Sequence, residues 1–220
     1  MPDHSLKRLI RRYQNTTHRA GIPEHTRRAY SMLVLQLAHA QSAGQVLHLD
    51  SCCGVGASTV RWAQQHPEAF VVGVDKSEYR LSKHSHYQIQ GVNNYHVVRA
   101  DCAALWRLMV EGGWRFEQHN LWYPNPWPKK TQRQRRWYAM PALVHLVRLQ
   151  RSLSVRSNGA WYLEDFAWAL RWWGLEATLR PLIIKGQPMT PFELKYLATG
   201  QALWVLECAF PSKVDVMGRL

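Results

Sequence analysis

The chain has 220 residues, enough for a single domain with a real buried core and no disulfide framework. Its 28 Lys and Arg against 15 Asp and Glu leave a net charge of +13, while apolar residues make up an ordinary 46%. This excludes an acidic disordered protein, a collagen-like chain and a disulfide scaffold, and it favours a polyanionic partner, nucleic acid before a membrane surface. No run approaches the roughly 18 apolar residues of a membrane span, and Met1 to Arg12 lacks the apolar stretch of a secretory signal, so a cytoplasmic location is expected. Cys52, Cys53, Cys102 and Cys208 make no C-x-x-C, and no His spacing completes a zinc pattern, so reduced thiols and no metal are expected.

Residues 1–28 carry seven Lys and Arg against Asp3 and Glu24 with few apolar residues, which reads as a mobile or partly helical basic arm. A domain over 29–220 follows. Tyr30, Leu33, Val34 and Leu37 mark one helix face. Strands are expected over 45–50, 70–75, 95–101, 119–123 and 152–157, with helices over 58–65, 77–90, 103–110, about 131–150 and 161–173. The runs 177–184 and 202–210 read as two more strands joined by a long loop without a helix, an antiparallel hairpin at the sheet edge. Strand–helix alternation of this kind gives an α/β fold on a mostly parallel sheet.

Three acids, Asp50, Asp75 and Asp101, stand at the carboxyl ends of the first three strands, where open α/β sheets bind ligands. Asp50 opens a turn, Asp50-Ser-Cys52-Cys53-Gly54-Val-Gly56, that leads into a helix. The dinucleotide fingerprint G-x-G-x-x-G fails here because Thr59 takes the third glycine position. The acid-x-Gly-x-Gly-x-Gly turn of S-adenosylmethionine sites fits with Cys52 in place of the first glycine. A carboxylate at position 50 would repel a pyrophosphate but suits the ammonium of a methionine moiety. Asp75 is placed to take a ribose diol.

The most specific segment is Tyr123-Pro-Asn125-Pro-Trp127-Pro-Lys129-Lys130-Thr-Gln-Arg133-Gln-Arg135-Arg136. Prolines rigidify the backbone around Asn125, Trp127 offers a stacking face, and five cations without an acid form a phosphate-binding patch. A solvated charged helix start is the bland alternative. Asn125-Pro126-Trp127 also shares its first two residues with the Asn-Pro-Pro-Tyr motif of exocyclic-amine methyltransferases but lacks the second Pro.

This segment resembles the F/Y-P-D-P-W-x-K signature of the bacterial tRNA (guanine-N7)-methyltransferase family, and Thr190-Pro-Phe-Glu193 is similar to that family's T-x-F-E motif. The resemblance covers about residues 45–210. It implies a Rossmann-like class I methyltransferase, a seven-stranded sheet of order 3-2-1-4-5-7-6 with helices on both faces. It further implies S-adenosylmethionine as cofactor, tRNA as partner and a monomer. Asp50, Cys52, Gly54, Gly56, Asp75, Asp101 and Asn125 then fall on cofactor positions, with Asn125 also the catalytic position. Lys129, Lys130, Arg133, Arg135, Arg136, Asn158, Thr190 and Glu193 fall on the substrate side. Asn125 and Asn158 replace two family aspartates. An RNA-binding relative with reduced or lost turnover, or a methyltransferase for another RNA, a protein or a small molecule, is the competing expectation.

Overall fold

A computed structural model describes residues 4–14 and 20–211. The first strand, β1 (Val46–Ser51), lies at the centre of a seven-stranded sheet ordered β3-β2-β1-β4-β5-β7-β6, with β2 (Ala69–Asp75), β3 (Tyr95–Arg99), β4 (Phe116–Trp122), β5 (Gln150–Ser157), β6 (Ala177–Pro181) and β7 (Trp204–Ala209). The first five strands pair in parallel, and β7 pairs antiparallel with both β5 and β6. The order matches the expected one, and the last two strands form the expected antiparallel edge.

Burial alternates along the strands because both faces are covered. On β2, Ala69 and Val71 face the small cluster under α3 (Ala57–Gln65), while Val72 and Val74 enter the main core. That core draws on α2 (Glu24–Ser42), α5 (Cys102–Glu111), α6 (Leu143–Leu149) and α7 (Ala160–Arg171). The central strands also bury a polar seam: His119 bonds Gln150 Oε1 at 3.1 Å and Ser51 Oγ at 2.8 Å, and Trp106 Nε1 donates to the same hydroxyl. Burial holds the His119 pKa down at about 4, so this imidazole is neutral.

Four expectations are revised. The segment read as an arm contains helix α1 (His4–Gln14), whose Leu6 and Ile10 are buried in the main core, and α2 begins within it at Glu24. In place of one helix over 77–90 there is only α4 (Glu78–Leu81) and a 3-10 turn at His84–Tyr87, neither with a buried residue, so no apolar stripe supports a longer helix. The long helix over 131–150 is broken into 3-10 turns at Lys130–Arg135 and Trp137–Ala139 before α6. Arg136 between them is extended, and Pro141 holds Met140 extended. Finally, the loop between β6 and β7 contains α8 (Pro191–Ala198), capped by Thr190 Oγ1, which accepts the Glu193 N–H at 3.0 Å. The Thr-Pro-Phe-Glu motif is itself a helix start, with Pro at the first helical position.

Candidate active site

The carboxyl ends of β1, β2, β4 and β5 converge on one side of the sheet. The β1 turn takes left-handed backbone at Cys52 (φ 61°), Gly54 (φ 61°) and Gly56 (φ 76°). It is tied to β2 by Cys53 N–H donating to Val74 O at 3.0 Å and by Gly54 N–H donating to Asp75 Oδ2 at 3.0 Å. Cys52 holds this conformation without being glycine, which is strained backbone of the kind found at ligand sites. Its side chain turns onto α5, with Sγ 4.0 Å from Cys102 Sγ.

The three acids have different duties. Asp50 is 1% exposed, and its Oδ2 accepts from Ser58 Oγ at 2.6 Å and Thr59 Oγ1 at 2.7 Å. Gly73 on β2 makes room for that threonine, since a Cβ there would collide with it. Burial raises the Asp50 pKa to about 6 even though two hydroxyls favour the charged form. Asp75 accepts from Gly54 N–H and, through Oδ1, from Ser77 N–H at 2.8 Å, and Arg80 Nη1 stands 3.5 Å from its Oδ2. Asp101 caps α5 by accepting the Ala104 N–H, and its own N–H is held by Thr26 Oγ1 on α2.

At the end of β4, Tyr123 (φ 53°) and Trp127 (φ 47°) bracket the Pro-Asn-Pro segment with two more left-handed residues. Tyr123 N–H donates to Arg156 O on β5. Asn125 is exposed, and its Oδ1 accepts the Trp127 N–H at 3.2 Å. That bond orients the amide, which still has its NH2 donor and a second lone pair on Oδ1 to offer. Lys129 and Lys130 are exposed beyond the loop, Arg133 is half-buried, and Arg135 lies over the Trp127 ring at 4.9 Å.

Three expected substrate contacts are instead internal. Arg136 is 6% exposed; its Nε donates to Trp127 O, its Nη2 to Pro128 O and its Nη1 to Tyr138 OH, with Asp165 at 3.7 Å. It fastens the proline-rich loop to α7 and is unavailable to phosphate. Glu193 is fully buried, and its carboxylate accepts from Arg156 Nη1 at 2.7 Å, Tyr123 OH at 3.0 Å and Met189 N–H at 2.6 Å. Thr190, 6% exposed, is its helix cap. Asn158 is exposed at the rim and donates to Gln201 Oε1. Arg156, stacked 3.7 Å from the Trp122 ring, had no sequence signal of its own; only the pairing of β4 with β5 brings it beside the loop. Arg80 was equally unmarked, one turn beyond Asp75.

The donor set fits S-adenosylmethionine. A Cβ at Gly54 would meet only the flexible end of Arg80, so the turn leaves a cradle beside the buried Asp75 carboxylate. Asp75 would take the ribose hydroxyls, and the Gly54–Gly56 backbone would approach the methionine part. Among the described residues no three His, Cys, Asp or Glu side chains gather to hold a metal ion, and no helix is long and apolar enough to cross a membrane. A sheet of this order with this glycine turn and strand-end acid defines a class I S-adenosylmethionine-dependent methyltransferase.

Comparison with known proteins agrees. Residues 44–157 match the family described as "Putative methyltransferase", and the chain belongs to that methyltransferase family as a divergent member. It is 24% identical over 176 residues to the tRNA (guanine-N(7)-)-methyltransferase of Streptococcus thermophilus strain CNRZ 1066, covering 74% of this chain and 80% of that one. Among solved structures, the antibiotic-resistance methyltransferase Kmr aligns with a TM-score of 0.53 at 22% identity, over 80% of this chain and 92% of its own. The 16S rRNA methyltransferase KamB aligns with a TM-score of 0.58 at 16% identity, over 80% and 94%.

Proposed function

We propose that the protein methylates tRNA at guanine N7, in the cytoplasm. S-adenosylmethionine supplies a methyl group on a sulfonium, and guanine N7 has a lone pair and no proton, so the transfer needs no general base. The residues have to orient the base and exclude water. The observation that carries the reading is the Asn125 amide. With Oδ1 already accepting the Trp127 N–H, we take the NH2 donor as the group offered to a base. A donor suits guanine O6, the carbonyl beside N7. It does not suit adenine, whose N7 and N1 both flank an amino group that itself needs an acceptor.

This separates the reading from a solved neighbour titled 16S rRNA (adenine(1408)-N(1))-methyltransferase, 18% identical. It also argues against the exocyclic-amine chemistry in which an asparagine carbonyl accepts the amine protons. Trp127, held by Arg135 and Arg136, supplies a stacking face, and Lys129, Lys130 and Arg135 hold phosphates at the rim. Asn158 extends the rim beyond β5. Glu193 and Arg136 act through the loop they fasten.

The test is methyl incorporation into bulk tRNA, followed by nuclease digestion and nucleoside analysis. The expected product is 7-methylguanosine. A methylated adenosine as the main product, or no incorporation by protein that binds S-adenosylhomocysteine, overturns the proposal.

A further inference from the structure

The cysteines stand in different settings. Cys208 is buried on β7, and its thiol donates to the Ala209 carbonyl. Cys53 is buried in the β1 turn, where burial pushes its thiol well up. Cys52 and Cys102 are 50 positions apart in the chain, yet the fold brings their side chains together. Their Sγ atoms are 4.0 Å apart, against about 2.05 Å in a disulfide, so a bond needs about 2 Å of approach, within reach of side-chain torsions. Cys52 lies in the turn that opens the cofactor site, and Cys102 opens α5 directly after the capping Asp101. Cys102 Sγ also faces Val74 O at 3.8 Å, the carbonyl that accepts the Cys53 N–H. The pair therefore sits where the β1 turn, the end of β2 and the start of α5 meet, the three segments that carry Asp50, Asp75 and Asp101.

The two thiols are not equivalent. Cys52 is half-buried and Cys102 is buried. The contact with Cys52 and burial push the Cys102 thiol well above its ordinary range, so it stays protonated. A small oxidant reaches Cys52 first, and Cys102 stands beside it as a resolving thiol, an arrangement common in redox-sensing pairs. Methyl transfer needs neither sulfur.

We propose that Cys52 and Cys102 form an oxidation site, a thiol pair that a hydroperoxide converts to a disulfide, with weaker cofactor binding as the consequence. The Cys52 thiolate attacks the peroxide, the O–O bond breaks, and Cys52 sulfenic acid forms with release of an alcohol or water. Cys102 Sγ then displaces hydroxide from the Cys52 sulfur, and the Cys102 proton leaves with that hydroxide as water. The two thiols lose two electrons and two protons in all, and the peroxide is reduced. The new bond draws the turn onto α5. Gly54, two residues on, gives its N–H to Asp75 Oδ2, so the pull shifts the backbone cradle against the ribose-binding acid. The inference rests on the cofactor placement and is independent of the RNA substrate.

The experiment treats reduced full-length protein with equimolar hydrogen peroxide, blocks the remaining thiols with N-ethylmaleimide and maps the peptides by mass spectrometry without reduction. Calorimetry measures S-adenosylhomocysteine binding before and after. A linked Cys52–Cys102 peptide is expected, with affinity about tenfold below that of the reduced protein, a modest coupling between two sites, and dithiothreitol reverses both. Reduced C102A should bind S-adenosylhomocysteine as the wild type does. After peroxide it should give no linked peptide, and dimedone should label Cys52 as the trapped sulfenic acid. Linkage to Cys53 or Cys208 instead, or every thiol still open to N-ethylmaleimide, overturns the pairing. A linked protein that binds S-adenosylhomocysteine as the reduced one does overturns the coupling to the site. The map and the affinity of the wild type decide the proposal even if C102A fails to fold. Reduced wild type that binds no S-adenosylhomocysteine overturns the cofactor placement and the coupling with it.

Discussion

Replacing Glu193 by Gln tests the claim that this residue positions the site and does not touch substrate. The side chain is fully buried and accepts three hydrogen bonds, from Arg156, Tyr123 and Met189. Glutamine keeps one acceptor oxygen and turns an NH2 group toward donors, and it leaves the Arg156 guanidinium, only 14% exposed, without its counter-ion. Breaking a buried pair by removing one partner costs about 3–5 kcal/mol. Because glutamine preserves shape and one acceptor, about 3 kcal/mol is expected. For a chain of this size that is a fall in Tm of roughly 6–12 °C. The double variant E193Q/R156M removes the stranded charge and should recover more than half of the loss. Thermal melts and urea titrations of the four proteins give the coupling directly. An E193Q melt within about 1 °C of wild type, or strictly additive single effects, would refute the buried pair as the anchor of α8 on the loop.

Asp50→Asn should stabilise the fold at neutral pH. Folding raises the Asp50 pKa from 3.8 to about 6, so the folded state is penalised when this group is charged, by about 3 kcal/mol above pH 6. That penalty appears as pH rises from 3.8 through 6, so the advantage of D50N in urea denaturation should be full at pH 7.5 and vanish below pH 4; a gap independent of pH refutes it. On the proposed cofactor placement Arg80 competes with the ribose hydroxyls for Asp75 Oδ2, so R80A should tighten S-adenosylhomocysteine binding about two- to fivefold by calorimetry, the size of a part-exposed ion pair. Weaker binding would show that Arg80 contacts the cofactor. N125A should lower kcat on tRNA about a hundredfold while S-adenosylhomocysteine affinity changes less than threefold, and equal losses in both would place Asn125 on the cofactor instead.

Much of the architecture was legible because it is local. The apolar runs 45–50 and 70–75 match β1 and β2 to within a residue, since strands covered on both faces read as continuous hydrophobic segments. The glycine turn was equally visible, because left-handed backbone at Gly54 and Gly56 calls for residues without a Cβ. Helix α8, eight residues long, is too short for an apolar period to mark it, although Thr190, Pro191 and Glu193 spell its start.

By itself, the sequence determined the strand order's elements, the acids at strand ends, the rigid Pro-Asn-Pro turn and the excess of cations. These depend on residue type, chirality and short-range spacing. What only the tertiary structure decided is which of those cations and acids face water. Arg136 and Glu193 share their composition and neighbourhood with solvent-facing groups, yet one is folded back onto the carbonyls of Trp127 and Pro128 and the other is sealed beneath α8 by Arg156. Leu6 and Ile10 likewise turn an apparent basic arm into a docked helix. Charge in a sequence is a property of the residue, whereas its availability to a ligand depends on partners 8 to 70 positions away, which only the tertiary fold brings into place.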